Sequence, residues 1–197
     1  MGSSFDRSHL MIPRAIGFIG GMLAPTLLIG SFVFFGEESV RRSISYYYFG
    51  PMREVLTSAL IAVAVLMFIY SGIDHTVRWS TNLAGLCLIG VAWFPTNLTQ
   101  QVNLVYIIHH VSAGGFFIVT AYISYFLFPR ETNNDSLPKK TIMIHRFCAM
   151  TIFICLIAAA GYKVIFRGSE SAFIFSAEGI ALTSFCVSWI TRGQMIS

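Results

Sequence analysis

Residues 15–35 are 21 consecutive positions without a charged side chain. At 1.5 Å per residue, a helix over them reaches about 31 Å, the thickness of a bilayer's hydrocarbon core. The run is longer than the apolar region of a signal peptide. Phe34-Phe35-Gly36-Glu37-Glu38 after it has no small-residue cleavage site, so the segment is expected to be retained as a span. Five further apolar runs follow at 55–73, 79–94, 104–128, 147–166 and 173–190. The third is short and starts polar; the last two each contain one charge, Lys163 and Glu178. Charged residues make up 11% of the chain and hydrophobic residues 55%, against about 25% charged in an ordinary soluble domain. A soluble chain of this size cannot hide that much apolar surface. A soluble enzyme, a disordered chain and a disulfide mini-protein are excluded. The expected fold is all-α, a polytopic integral membrane six-helix bundle forming one domain over 1–197.

Lys and Arg favour the cytoplasmic side. With six spans, one face carries Arg7, Arg14, Arg78, Arg130, Lys139, Lys140, Arg146 and Arg192, and the other carries Arg41, Arg42, Arg53, Lys163 and Arg167. This asymmetry predicts both termini inside. The basic fourth loop reads as topology-setting, and nothing in the sequence points to nucleic acid. Cys87, Cys148, Cys155 and Cys186 all fall in expected spans and read as small apolar residues.

Ionisable residues inside a membrane are expensive, so each calls for a partner or a function. His109 and His110 lie about a turn and a half into the fourth span. Successive residues step about 100° around a helix. Tyr106, His109, His110, Ala113, Phe117, Thr120 and Ser124 share one side of that wheel; Ile108, Val111, Gly115, Ile118, Tyr122 and Phe126 share the other. The first side is expected to face the bundle and the second the lipid. Glu178 sits five residues into the sixth span, at a depth similar to the histidines. The outer first loop adds Ser43-Ile44-Ser45-Tyr46-Tyr47-Tyr48 and Arg53. An outer-leaflet polar cluster is therefore expected, with His109, His110, Glu178, Arg53, Ser45 and Tyr47 as candidate ligand-binding residues.

Each has a plainer reading beside it. Glu178 fits a buried ion pair with Arg53 or Lys163 that fixes helix register. Lys163 fits snorkelling to the headgroups. The tyrosines, Trp93 and Trp189 fit the aromatic belt at the membrane interface. Asp74 and Arg78 fit an i,i+4 pair or a solvated turn. Asn97-Leu98-Thr99 is a glycosylation sequon in a short loop. Adjacent His109 and His110 point about 100° apart, which does not suit chelation from one helix. The other three histidines fall near helix ends or in the tail, so no haem is expected. No cofactor and no metal are expected.

Ser43-Ile44-Ser45-Tyr46-Tyr47, Arg53, Asn82-Leu83-Ala84-Gly85 and Phe94-Pro95-Thr96 resemble an uncharacterised bacterial family of six-helix membrane proteins. So do His109/His110, Glu178 and the closing Ser188-Trp189-Ile190-Thr191-Arg192-Gly193. The resemblance covers nearly the whole chain and carries a domain-of-unknown-function label. It implies the six-helix bundle and a bacterial inner (plasma) membrane, and implies no activity. The family pattern is Ser-x-Ser-x-Tyr-Tyr-His; Phe49 stands here where it has His. More distantly, the chain is similar to the membrane hydrolase superfamily of alkaline ceramidases and adiponectin-type receptors, which gather Ser, Asp and His around zinc in a helical bundle. This chain has six expected spans rather than seven, and no His-x-x-x-His.

Three functions follow as expectations. The first is binding of a lipid headgroup or small amphiphile in the outer polar pocket. Membrane lipids are then the partners, and homo-oligomerisation is left open. The second is an intramembrane hydrolase, metal-dependent or not, with His110 or Glu178 as general base and Ser45 as nucleophile. The third is a proton-coupled transporter that uses Glu178 and the histidines as a relay. Whether the protein is an enzyme stays open at this level.

Overall fold

The computed structural model describes residues 3–70, 74–98, 102–130, 138–166 and 171–195. Among them there is no strand. Six long α-helices follow one another: α1 (Ser3–Phe35), α2 (Arg53–Ile69), α3 (His75–Trp93), α4 (Leu104–Tyr122), α5 (Lys139–Ile165) and α6 (Phe173–Met195). A 3₁₀ segment, Ile44–Phe49, lies between α1 and α2, and α4 runs on into a π-helical turn, Ile123–Leu127.

Local chemistry sets the helix ends. Gly36 takes a left-handed conformation (φ +66°) just past α1, which a residue without Cβ adopts at no steric cost. The Asp74 carboxylate accepts from Thr76 N–H at 3.4 Å and the Asn103 side chain accepts from Tyr106 N–H at 2.8 Å, capping α3 and α4. Asp74, which the sequence reads as pairing with Arg78 or lying in a solvated turn, is exposed and caps α3.

Each helix packs on its neighbours in sequence, and α6 returns to α1, so the six close into a ring in chain order. Short connections make consecutive helices antiparallel. Arg14 Nε donates to Gly193 O at 3.1 Å, which sets the start of α1 beside the end of α6. At the other end, Phe175 N–H donates to Arg42 O at 2.9 Å and Tyr46 O–H to Asn97 O at 3.5 Å. The first loop is thereby tied to α6 and to the α3–α4 connection. The α1–α6 contact is close because Gly17 and Gly21 stand one turn apart on the face of α1 that meets Cys186.

Four helical segments are long and apolar enough to cross a membrane: Met11–Phe35, Leu104–Leu127, Lys139–Ile165 and Phe173–Gln194. Helix α2 has 17 residues, and the 19-residue α3 opens on His-Thr-Val-Arg-Trp-Ser. Apolar side chains such as Phe34, Val111, Phe147 and Ile165 cover the outside of the bundle. A solvated monomer does not present such a surface.

The apolar runs understate the helices. α5 begins at Lys139 rather than 147, α3 at His75 rather than 79, and α6 continues to Met195 rather than 190. Long polar residues continue a helix at little cost, so charge marks where the apolar core stops and not where the helix does. α2 ends at Ile69, short of the expected 73, and 71–73 lie outside the described residues. Arg167 and the Thr99 of the sequon also lie outside them.

Candidate functional site

The end of the bundle that carries the first loop holds a cavity of about 680 Å³ between α4, α5, α6 and that loop. Helix α5 meets the π-helical turn that extends α4 toward the opposite end, and the cavity occupies the space between α4 and α5 toward the first loop. The size is that of a small-molecule site. Its polar end is lined by Arg42, Ser45, Tyr46, His110, Lys163 and Glu178. Its deeper walls are apolar and built from small residues, among them Ala113, Gly114, Ala159, Ala160 and Ala181. Nothing lies within 4 Å of where a Gly114 Cβ would stand.

The histidines border the cavity as the helical wheel predicts. His109 is buried, and its two nitrogens are both engaged. Nδ1 lies 2.6 Å from Phe94 O and Nε2 lies 3.0 Å from Ser45 Oγ. A carbonyl only accepts, so Nδ1 carries the hydrogen; in the neutral ring Nε2 accepts from the Ser45 hydroxyl. His110 Nδ1–H donates to Tyr106 O at 2.7 Å, within its own helix. Its Nε2 accepts from Lys163 Nζ. The Tyr106 ring lies 4.0 Å from the His110 ring, and the Lys163 ammonium stands 4.8 Å from the Tyr106 centroid. Lys163 thus turns into the cavity rather than snorkelling outward, because an acceptor and a ring face are within reach there.

Glu178 has a partner from another segment, though neither Arg53 nor Lys163. Its Oε2 accepts from the Ile44 backbone N–H at 2.7 Å. Among the described residues it forms no ion pair with Arg53 or Lys163; the one ion pair joins Arg41 to Glu37. Arg53 is exposed, bonded to the Tyr48 hydroxyl at 2.9 Å and lying 4.4 Å from that ring. It does not reach the cavity. Tyr47 does not line it either. Its ring is buried against Phe175 at 5.8 Å, and the hydroxyl has no partner among the described residues. The interfacial-belt reading therefore fails for Tyr47, as it does for the buried Trp189, while Trp93 is exposed as a belt residue would be. A Cβ added at Gly115 would stand 3.0 Å from Cys87 Sγ, so that position faces α3 and not lipid.

Sequence reasoning passed over two features. Arg42 supplies the second cation of the cavity; its place beside Ser43-Ile44-Ser45 was the available signal. A second polar group is buried at the opposite end of the bundle. His145 Nδ1 lies 2.9 Å from Ser188 Oγ, whose hydroxyl donates to Ser124 Oγ at 2.8 Å. The hydrogen of Ser188 is thus spent on Ser124, and Nδ1–H donates to Ser188. The π-helical turn, closed by Phe128 N–H to Ile123 O at 2.9 Å, carries Ser124 into this group. Arg192 is buried beside it, with Nε 3.3 Å from the Tyr70 hydroxyl and the guanidinium 5.5 Å from the Phe128 ring. His145 precedes the apolar run that starts at 147 and Arg192 follows the one that ends at 190, yet both lie in the packed bundle.

No three His, Cys, Asp or Glu side chains gather to hold a metal ion among the described residues. Comparison with family profiles, curated proteins and solved structures yields no match to this chain.

Proposed function

We propose that this chain is a bacterial-type inner-membrane protein of six spans with both termini cytoplasmic, and that its outer cavity binds a single-chain amphiphile with a phosphate-bearing headgroup. The cavity carries this reading. Two cations, Arg42 and Lys163, share its polar end, and small apolar side chains line its depth. From Tyr106 to Ile118 the lining descends about 18 Å along α4 at the helical rise. A phosphate favours charge-assisted bonds to Arg and Lys. An alkyl chain gains by lying along Ala and Leu side chains. Glu178 accepts from the Ile44 amide and so shapes the wall beside the first loop.

Native mass spectrometry of the full chain in mild detergent, titrated with oleoyl lysophosphatidylglycerol, tests this. The expected result is one bound lipid per chain. In Gly114→Leu the new side chain grows into open space and obstructs the path along α4, so binding is weakened about 10-fold or more while thermal stability is kept. Absence of any bound lipid at saturating probe, or undiminished binding by a stable Gly114→Leu variant, would overturn the proposal.

A further inference from the structure

Ser45, His109 and Phe94 O form a connected series that the binding of an amphiphile does not require. The hydroxyl lies 3.0 Å from Nε2, and Nδ1 lies 2.6 Å from a backbone carbonyl. The three come from three separate stretches of chain: the 3₁₀ segment, α4, and the residue that ends α3. The carbonyl fixes the ring's tautomer with its hydrogen on Nδ1, leaving Nε2 as a base aimed at a hydroxyl. A nucleophile, a base in hydrogen-bond reach of it and a third group orienting the base are the parts of an activated serine.

The placement of Ser45 adds a second observation. Ser45 lines the 680 Å³ cavity, and it also lines a smaller apolar cavity of about 60 Å³ walled by Leu23, Leu56, Phe116 and Phe185. Its hydroxyl is therefore not sealed into the core with the imidazole. His110 and Glu178 do not fill the role of base: Lys163 donates to His110 Nε2, and the Ile44 amide donates to Glu178. Of these three groups, only His109 presents a ring nitrogen to a hydroxyl.

We infer that Ser45 is a nucleophile activated by His109, and that the site cleaves the carboxylic ester of an anionic single-chain amphiphile. The inference rests on the amphiphile reading for its substrate class and on the Ser45–His109 geometry for its chemistry. Ser45 Oγ attacks the ester carbonyl carbon while His109 Nε2 takes the hydroxyl proton. The carbonyl carbon–alkoxy oxygen bond then breaks, and the headgroup alcohol leaves with the proton from Nε2, so the acyl group stays on Ser45. A water molecule attacks the acyl carbon, giving its proton to Nε2. Ser45 Oγ departs, recovers that proton, and the fatty acid is released. Water is the only co-reactant.

The full chain in detergent is treated with a fluorophosphonate and mapped by tandem mass spectrometry, and release of oleate from oleoyl lysophosphatidylglycerol is followed in parallel. The expected result is one fluorophosphonate adduct, on Ser45 of the unaltered protein, together with oleate release. Ser45→Ala should abolish both and still bind the lysolipid. His109→Gln should slow labelling by about 100-fold or more, the usual contribution of a positioned base. Mapping on the unaltered protein decides the matter even if a variant fails to fold. A protein that binds the lysolipid but neither carries an adduct on Ser45 nor releases oleate overturns this inference and leaves the binding reading standing. So does oleate release that survives Ser45→Ala. A protein labelled on Ser45 that releases no oleate, and that retains no lysolipid either unaltered or as Ser45→Ala, sinks the binding reading instead and keeps the activated serine.

Discussion

Glu178 and Ser188 each hold a buried polar contact whose chemistry can be separated by substitution. The Glu178 carboxylate receives the Ile44 amide at 2.7 Å. A glutamine keeps an acceptor oxygen at the same reach and removes the charge; an alanine leaves the amide without a partner. An orphaned buried donor costs about 1–3 kcal/mol. Thermal unfolding in detergent should therefore show Glu178→Gln near the unaltered protein and Glu178→Ala clearly below it. Equal losses would make the charge itself the stabilising element. At the opposite end of the bundle, Ser188→Ala removes the acceptor of His145 and the donor to Ser124 together. It should cost a similar amount, and combining it with Ser124→Ala should add less than the separate loss of Ser124, since one contact is shared. Full additivity would show that the chain of hydroxyls does not act as a unit. The outer residues were legible because an ionisable side chain in an apolar run attracts notice by its cost: His109, His110, Lys163 and Glu178 all meet at one depth. The choice of partners was not legible. Arg53 prefers the Tyr48 ring and Glu178 a backbone amide, and neither contact leaves a mark in a linear pattern. His145 and Arg192 escaped for a related reason. They lie at the edges of apolar runs, where a reader expects water, and only packing shows that the bundle covers them.

The helices were largely visible as apolar runs; their ends and their mutual approach were not. A charge-free window locates the segment that faces hydrocarbon, whereas α5 starts at Lys139 and crosses His145 and Arg146 before its apolar stretch. The π-helical turn at Ile123–Leu127 is likewise silent in the sequence, because one inserted residue shifts the wheel without altering composition. Helix proximity can be probed directly with glycines. At Gly17 an added Cβ would stand 2.9 Å from Cys186 O, a backbone atom that cannot swing aside. At Gly161 nothing lies within 4 Å. Gly17→Val should thus lower the thermal midpoint in line with an overpacking cost of about 1–3 kcal/mol. Gly161→Ala should hold or raise it, since alanine is the better helix former by roughly 1 kcal/mol. If both substitutions behave alike, α1 and α6 do not meet along this face.

For the whole molecule, the open matter is whether α2 and α3 cross the membrane with the other four. At 1.5 Å per residue, the 17 residues of α2 and 19 of α3 reach about 26 and 28 Å, just under the hydrocarbon thickness of about 30 Å. Both sit in the ring, α2 against α1 and α3 against α4, with no gap for lipid to replace them. Their shared turn carries Asp74, His75 and Arg78, which do not belong in hydrocarbon. The ring also fixes which loops share an end. Arg14 meets Gly193 at one, and the first loop meets α6 and Asn97 at the other. The proposed orientation, with both termini inside, puts the first loop and the cavity outside. Single cysteines placed at exposed Glu38, His75, Leu98 and Pro138, in a chain whose four native cysteines are replaced, turn this into a readout. A membrane-impermeant maleimide on intact cells should label Glu38→Cys and Leu98→Cys at once, and His75→Cys and Pro138→Cys only after permeabilisation. The reverse pattern would invert the orientation and move the cavity to the cytoplasmic leaflet. A His75→Cys that no treatment labels would mean that α2 and α3 form a re-entrant hairpin inside a four-span protein. The first loop and the α3–α4 connection would still meet at the same end, so the cavity would survive that outcome and the six-span topology would not.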